Sequence, residues 1–340
     1  MATWNSNDIG FTKVTSQNSN GECVTILVTG GAGFIGSHLV ERLLGLGHHV
    51  ITFDNFDDFY SPSLKRSNIA EAAKHPHNTV IEGDIRDREV LSRCFRDAAI
   101  DTVIHLAARA GVRPSIANPR VYYDVNVMGT LTLLDVMHNA NVRRLIFASS
   151  SSVYGNSPNV PFSEASSVDT PISPYAASKK AGELVCHTYH HLHNFDVFCL
   201  RFFTAYGPRQ RPDMAIHQFV RKISNGEQIT LYGDGSSMRD YTYVEDIVDG
   251  ILQAVRRVRG YEIINLGESG TIGLKDLVEL LQTQLGKKAN IEWLPAQQGD
   301  VDRTCADISK AKRILGYAPR YSIEEGIRHF CEWYYDQERP

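Results

Sequence analysis

Tyr175 and Lys179 stand four residues apart in Tyr-Ala-Ala-Ser-Lys, directly after the turn-like pair Ser173-Pro174. In a helix that starts there, positions i and i+4 share a face. The Lys179 ammonium then lies near the Tyr175 phenol. A free phenol titrates near ~10, and a fixed cation lowers that by ~1–3 units. The spacing therefore predicts an acid/base tyrosine working near neutral pH. The same spacing also suits an ordinary exposed helix, so the chemistry depends on what the rest of the chain builds around the pair.

The surrounding elements are those of a nucleotide-binding sheet. A β-branched run at 24–28 predicts a buried strand, and a glycine cluster and an amphipathic helix at 38–46 follow. Gly47 ends that helix, and 49–54 reads as a second strand, completing a βαβ unit. Further strands are expected at 79–84, 102–106, 144–149 and 196–201, and helices at 88–98, 122–139 and 175–193. This alternation predicts an α/β fold with a Rossmann-type doubly wound parallel sheet. After the loop signature at 207–212 the texture changes to a helix at 215–225, a short strand at 229–232 and a Gly-rich turn. Residues 261–266 read as a strand returning to the sheet, and 267–340 as short helices with one strand around 291–293. The organisation expected is a loose extension at 1–22, a Rossmann domain at 23–206 with the returning strand, and a smaller mixed α/β lobe, mainly 207–340, over the crevice.

Composition narrows the function classes. The chain has 340 residues, 42% hydrophobic and 22% charged, which suits a globular protein. A net charge of −4 gives no electrostatic case for nucleic acid or an anionic membrane. No apolar run approaches the ~18–20 residues that span a bilayer, and residues 1–22 carry no targeting pattern. The six cysteines are scattered without a Cys-x-x-Cys motif, as expected for free thiols in a reducing cytosol. His187 and His191 share a helical face but lack a convincing third ligand, so they are expected to pack or face solvent, with no metal site.

Thr29-Gly30-Gly31-Ala32-Gly33-Phe34-Ile35-Gly36 joins the first strand to its helix. Glycines there permit a tight turn and close approach of a pyrophosphate, and the helix N-terminus supplies N–H donors. Asp54 ends the second strand eighteen residues after Gly36, where a carboxylate accepts from both ribose hydroxyls and repels a 2′-phosphate. Asn55, not arginine, follows it. NAD is thus expected over NADP, although Lys65 and Arg66 are close in sequence. Asp84, followed by Ile85, would either bond adenine or cap the next helix. Leu106, Ala107 and Ala108 end the fourth strand with small residues that let backbone approach the cofactor.

Taken with His105-Leu106-Ala107-Ala108, Ser150-Ser151-Ser152-Val153-Tyr154-Gly155, Tyr175-x-x-x-Lys179 and Arg239-Asp240-Tyr241, the glycine block resembles the extended short-chain dehydrogenase/reductases, the NAD-dependent sugar-nucleotide epimerases and dehydratases. The resemblance covers about residues 23–335. It implies tightly held NAD, a C-terminal nucleotide-sugar lobe and a homodimer built through a four-helix bundle. Asp54-Asn55-Phe56-x-x-Phe59-Tyr60, Ala110-Gly111-Val112-Arg113 and the stretch from Arg201 to Met214 look most like the UDP-glucuronate 4-epimerases. The similar 4,6-dehydratases carry Asp and Glu before Val-Tyr-Gly; Ser151 and Ser152 stand here and cannot act as carboxylates.

The resemblance implies inversion at C4 of UDP-glucuronic acid through a 4-keto sugar. Tyr175 would take the C4 hydroxyl proton, Ser150 would assist at the same oxygen, and Lys179 would hold the phenolate and the nicotinamide ribose. Arg211 would clamp the uronate carboxylate through two parallel hydrogen bonds, with Ser151, Ser152 and Thr204 beside it. Arg239 resembles the diphosphate arginine, Tyr232 lies in the uracil-facing segment, and Asp300 resembles the uridine-ribose residue. The second phosphate arginine of neutral-hexose 4-epimerases is missing, with Gln297 and Gln298 in its stretch; Arg303 would have to compensate. Arg113 would reach the sugar or the phosphates. The alternatives are a 4-epimerase of neutral UDP-hexoses and a catalytically idle NAD-binding protein.

Overall fold

The computed structural model describes residues 23–295, 301 and 303–337. The extension at 1–22 and the residues Gln297, Gln298 and Asp300 lie outside the described residues. Thirteen strands are described: β1 (Thr25–Thr29), β2 (His49–Asp54), β3 (Asn78–Glu82), β4 (Thr102–His105), β5 (Arg144–Ser150), β6 (Asp196–Phe202), β7 (Thr204–Tyr206), β8 (Gln228–Tyr232), β9 (Met238–Arg239), β10 (Tyr241–Tyr243), β11 (Tyr261–Leu266), β12 (Ile272–Gly273) and β13 (Asn290–Leu294). Seven of them form one parallel sheet in the order β11-β6-β5-β4-β1-β2-β3. The order reverses direction between β1 and β4, and that switch point opens a crevice at the carboxyl ends of the strands. The α/β, doubly wound parallel fold expected from the sequence is the one observed.

The strands read as continuous apolar runs because both faces of the sheet are covered. Ile26, Val28, Ile104 and Ile146 pack into one core; Leu27, Ile51, Phe53, Val103 and Leu145 point into the other. Helices α1 (Phe34–Gly45), α2 (Pro62–Asn68), α3 (Arg88–Asp97), α4 (Val112–Ala117), α5 (Pro119–Tyr123), α6 (Gly129–Asn139) and α7 (Pro174–His193) connect the strands up to β6. Helices α8 (Ala215–Ser224), α9 (Val244–Arg257), α10 (Leu274–Leu285), α11 (Ser309–Leu315) and α12 (Ile323–Gln337) follow. α9 packs against α1, and the pairs β7–β10, β9–β12 and β8–β13 lie outside the main sheet.

Two differences from the sequence reading bear on the site. The single helix expected at 122–139 is α5 and α6 joined by a π-helical turn, Asp124–Met128. Such turns occur where a side chain is re-aimed, and here it is Asn126, buried, whose amide bonds the backbone of Arg109 and the hydroxyl of Ser178. The cap of α3 is Asp87, which accepts from the Glu89 and Val90 amides; Asp84 is left for another role.

Candidate active site

α7 starts where it does for local reasons. Ser173 accepts from the Ala176 amide at 3.1 Å, and Pro174 occupies the first turn with the φ a helix needs. Ser115 accepts from the Tyr175 amide at 3.1 Å, tying the start of α7 to α4. From there the helix buries Ala176, Lys179, Glu183 and Cys186, one apolar face with two charges set into it. Glu183 is answered in full. Arg201 reaches it from β6 with two bonds of 2.8 Å, and Ser149 on β5 donates at 2.6 Å. Arg201 also bonds Tyr154, whose hydroxyl donates to Asn265 on β11 at 2.7 Å. This buried network locks α7 to β5, β6 and β11 and so fixes where Tyr175 and Lys179 stand.

Tyr175 and Lys179 open into a cleft of about 610 Å³ at the carboxyl ends of the strands. Gly30, Gly33, Phe34, Ile35, Gly36, Asp54, Asn55, Asp84, Ile85, Leu106, Ala107 and Ala108 line it from one end. Ser150, Ser151, Ser152, Arg113, Thr204, Arg211 and Arg239 line the rest. Tyr232 is not among the lining residues. Its ring instead carries the Arg113 guanidinium 4.7 Å from its centroid, so it touches the cleft through Arg113. Arg303 is exposed, and its backbone pairs with Met238 beside Arg239.

The electrostatics of the pair differ from the sequence expectation. Lys179 Nζ donates to the Ala148 carbonyl at 2.7 Å, and burial lowers its pKa to about 8. Arg211 is a cation whose charge bears on the Tyr175 phenol. Burial pushes that phenol above its ordinary value, and a hydrogen bond with Ser150 and the charge of Arg211 pull it back. The bond to Ala148 has a plain cause: a buried ammonium takes a hydrogen bond where a carbonyl lies within reach. Ser150 is itself held, accepting from the Ser152 amide and donating to the Ser152 hydroxyl, both at 3.1 Å.

The nucleotide end fits a dinucleotide. A Cβ on Gly36 would lie 2.1 Å from the Gly30 carbonyl oxygen, and one on Gly30 would lie 2.7 Å from the Ala107 nitrogen. Only glycine allows the turn to close this tightly. The N-terminus of α1 has no side-chain cap and no acidic residue in its first turn, so its N–H groups face the cleft ready for an anion. Asp54 is buried and accepts from the Ala32 and Phe56 amides at 3.1 and 2.8 Å. Burial pushes its carboxyl up, and Lys65, 3.8 Å away, draws it down. Lys65 is thereby committed to Asp54, and Arg66 lies over Phe56 and pairs with Glu82, so neither is set for a 2′-phosphate. Arg86 chelates Asp84 and holds its pKa down to about 2, while Asn55 donates to it at 3.1 Å.

Several lining residues carry no role in the sequence reading. Arg109 pairs with Asp57 and stacks on Phe59 at 4.5 Å, and Arg211 meets the same ring at 5.5 Å. Both guanidinium groups therefore meet the Phe59 ring. Arg211 also forks Asp213 at 2.9 and 2.7 Å. The motifs around residues 54–66 and 201–214 contain Phe59 and Asp213, but spacing alone does not show that the two stretches meet at Arg211.

Comparison with known proteins agrees with this geometry. The GDP-mannose 4,6 dehydratase family profile matches residues 27–330. The chain belongs to this family of NAD-dependent epimerases and dehydratases. Within it, the chain is 46% identical over 309 residues to a UDP-glucuronate 4-epimerase of Thermodesulfobacterium geofontis, covering 90% of this chain and 95% of that one. UDP-glucuronate 4-epimerase 4 of Arabidopsis thaliana is 41% identical over 341 residues, covering 95% of this chain and 77% of the plant protein. The crystal structure of a Bacillus cereus UDP-glucuronic acid 4-epimerase with UDP-glucuronic acid and NAD superposes with a TM-score of 0.88 at 36% identity, covering 92% and 100% of the two chains.

Proposed function

We propose that this family member is an NAD-dependent isomerase that interconverts UDP-glucuronic acid and UDP-galacturonic acid by inverting C4. The observation that carries the substrate is Arg211: a mostly buried guanidinium on the wall of the cleft that Thr204, Ser151 and Ser152 also line, electrostatically coupled to Tyr175. No carboxylate stands at 151 or 152, which disfavours the elimination that dehydration requires. UDP-glucuronate 4-epimerases of 41–46% identity support the same reading.

When bound, NAD supplies the hydride acceptor and donor at C4 and, in its oxidised form, a ring cation that favours the phenolate. Tyr175 accepts the C4 hydroxyl proton, and Ser150 shares the hydrogen bond to the same oxygen. Lys179 would hold the phenolate and the ribose next to the nicotinamide. Arg239 would take the diphosphate and Arg113 the sugar or the phosphates, with Asp300 proposed for the uridine ribose. Arg211 holds the sugar carboxylate while the 4-keto sugar turns its other face to the cofactor, and Tyr175 then returns the proton.

We further propose that residues 23–206 together with β11 form the cofactor domain and that 207–340 mainly form the sugar-nucleotide lobe. A homodimer fits the exposed Tyr123, Met128, Leu184 and Leu192 on or beside α5, α6 and α7, and we propose that it works in the cytoplasm. No helix among the described residues is long and apolar enough to cross a membrane. The test is incubation with UDP-glucuronate, UDP-glucose and UDP-N-acetylglucosamine, read by proton NMR. A C4 epimer of the uronic acid alone is expected. Turnover of only the neutral sugars, or of none with NAD still bound, would overturn the reading.

A further inference from the structure

The loop that carries Arg211 is fixed on almost every side. His38 Nε2 on α1 holds the Pro208 carbonyl at 2.9 Å, and Glu41, one turn on, pairs with Arg209 at 2.7 Å. Gln210 is buried, donating to the Ala205 carbonyl at 3.2 Å and accepting from the His217 amide at 3.2 Å. The Met214 amide closes back on the Arg211 carbonyl at 3.1 Å, and Gln218 holds the Asp213 carbonyl at 2.8 Å. With the backbone pinned, the direction of the Arg211 guanidinium is the remaining freedom, and an arginine side chain has several rotatable bonds.

Asp213 removes that freedom. Its two oxygens take Nε at 2.9 Å and Nη2 at 2.7 Å, the side-on edge of the guanidinium. An arginine has five N–H donors, and this grip uses two. The end-on edge, formed by Nη1 and the second Nη2 hydrogen, is geometrically distinct and can take another carboxylate in a parallel fork. Asp213 is the more exposed partner, at 38% against 19% for Arg211. Both residues line the cleft, with Asp213 nearer its open side.

We propose that Asp213 is a positioning residue, whose side-on grip turns the end-on edge of Arg211 toward the sugar and so sets the preference for a uronate over a neutral hexose. The inference rests on the uronic-acid reading above. A carboxylate fills a two-donor edge with charge and two acceptors; a hydroxymethyl group offers one weak acceptor and leaves the second donor unmatched. Holding the edge in place before binding removes part of the ordering cost of the long side chain. Asp213 thus acts mainly on binding, and only through Arg211.

A double-mutant cycle tests this. Asp213→Ala should raise KM for UDP-glucuronate roughly tenfold with a much smaller change in kcat, as expected for loss of a charged hydrogen-bonded anchor. Asp213→Asn, which keeps one acceptor, should fall between wild type and Asp213→Ala. In an Arg211→Met background, Asp213→Ala should have no further effect. Affinity for UDP alone, by calorimetry, should be the same in all variants. A lower KM in Asp213→Ala would show that Asp213 competes with the substrate, and an equal loss in the Arg211→Met background would show a general structural role; either overturns the proposal. Wild-type protein that does not turn over UDP-glucuronate sinks the uronic-acid reading and this inference with it, whereas turnover with an additive cycle sinks this inference alone.

Discussion

Replacing Lys179 with methionine should abolish turnover and yet make the cofactor-free protein more stable. Lys179 is 5% exposed, and its pKa falls from 10.5 to about 8. That depression corresponds to about 3 kcal/mol of cost for carrying the charge in the fold at neutral pH. The Met side chain is close in length and has no charge to desolvate. The loss is the bond to the Ala148 carbonyl, about 1–2 kcal/mol including the unpaired oxygen. The balance is a gain on the order of 1–2 kcal/mol, a rise of about 1–3 °C in Tm for a chain of this length. The sign with pH follows from linkage. The folded pKa lies below the unfolded one, so between about 8 and 10.5 the unfolded chain binds a proton that the folded chain does not. Wild-type stability from this group therefore rises as pH climbs through that window, and the advantage of the variant shrinks. The assay is thermal unfolding of NAD-stripped wild type and Lys179→Met at about pH 7 and about pH 10. A variant that melts below wild type at neutral pH, or a gap that ignores pH, would refute the reasoning.

Two other perturbations have clear directions. Ser150→Ala removes a hydrogen bond that lowers the Tyr175 phenol, so kcat should drop by about 10–100-fold and the acid limb of the pH profile should move upward. An unmoved limb in a steady-state pH series would count against a role at the Tyr175 oxygen. Gly36→Ala places a methyl group 2.1 Å from the Gly30 carbonyl oxygen, so the purified protein should carry little or no NAD by acid extraction. Full NAD content in that variant would contradict the close-turn account of the glycines.

The site was legible in the sequence wherever function rests on neighbours along the chain. The glycine turn, Asp54 at the end of its strand, and the Ser-Pro entry to α7 are local patterns with local causes, and each appears in the structure where the pattern puts it. What local spacing does not carry is pairwise and long-range. Spacing puts Lys179 on the Tyr175 face, while the hydrogen-bond partner of its ammonium, the Ala148 carbonyl, lies 31 residues earlier on β5. The 122–139 segment has helical periodicity throughout; only the bonds from Asn126 to Arg109 and Ser178 reveal the π turn. Phe59 and Arg211 are 152 positions apart in sequence yet share a ring face. Asp213, two residues from Arg211, was within reach of sequence reasoning, since a carboxylate at that distance can chelate a loop arginine.

The central claim is that C4 is inverted by removing a hydride and returning the same hydride to the opposite face. UDP-glucuronic acid carrying deuterium at C4 tests it most directly. Incubated in ordinary water and followed by proton NMR, it should give UDP-galacturonic acid that keeps its deuterium at C4, with no solvent hydrogen entering C4 or C5. Product with hydrogen from water at C4 would contradict the account, because it would mean that the carbon is inverted by proton exchange and that Tyr175 does not serve a hydride transfer.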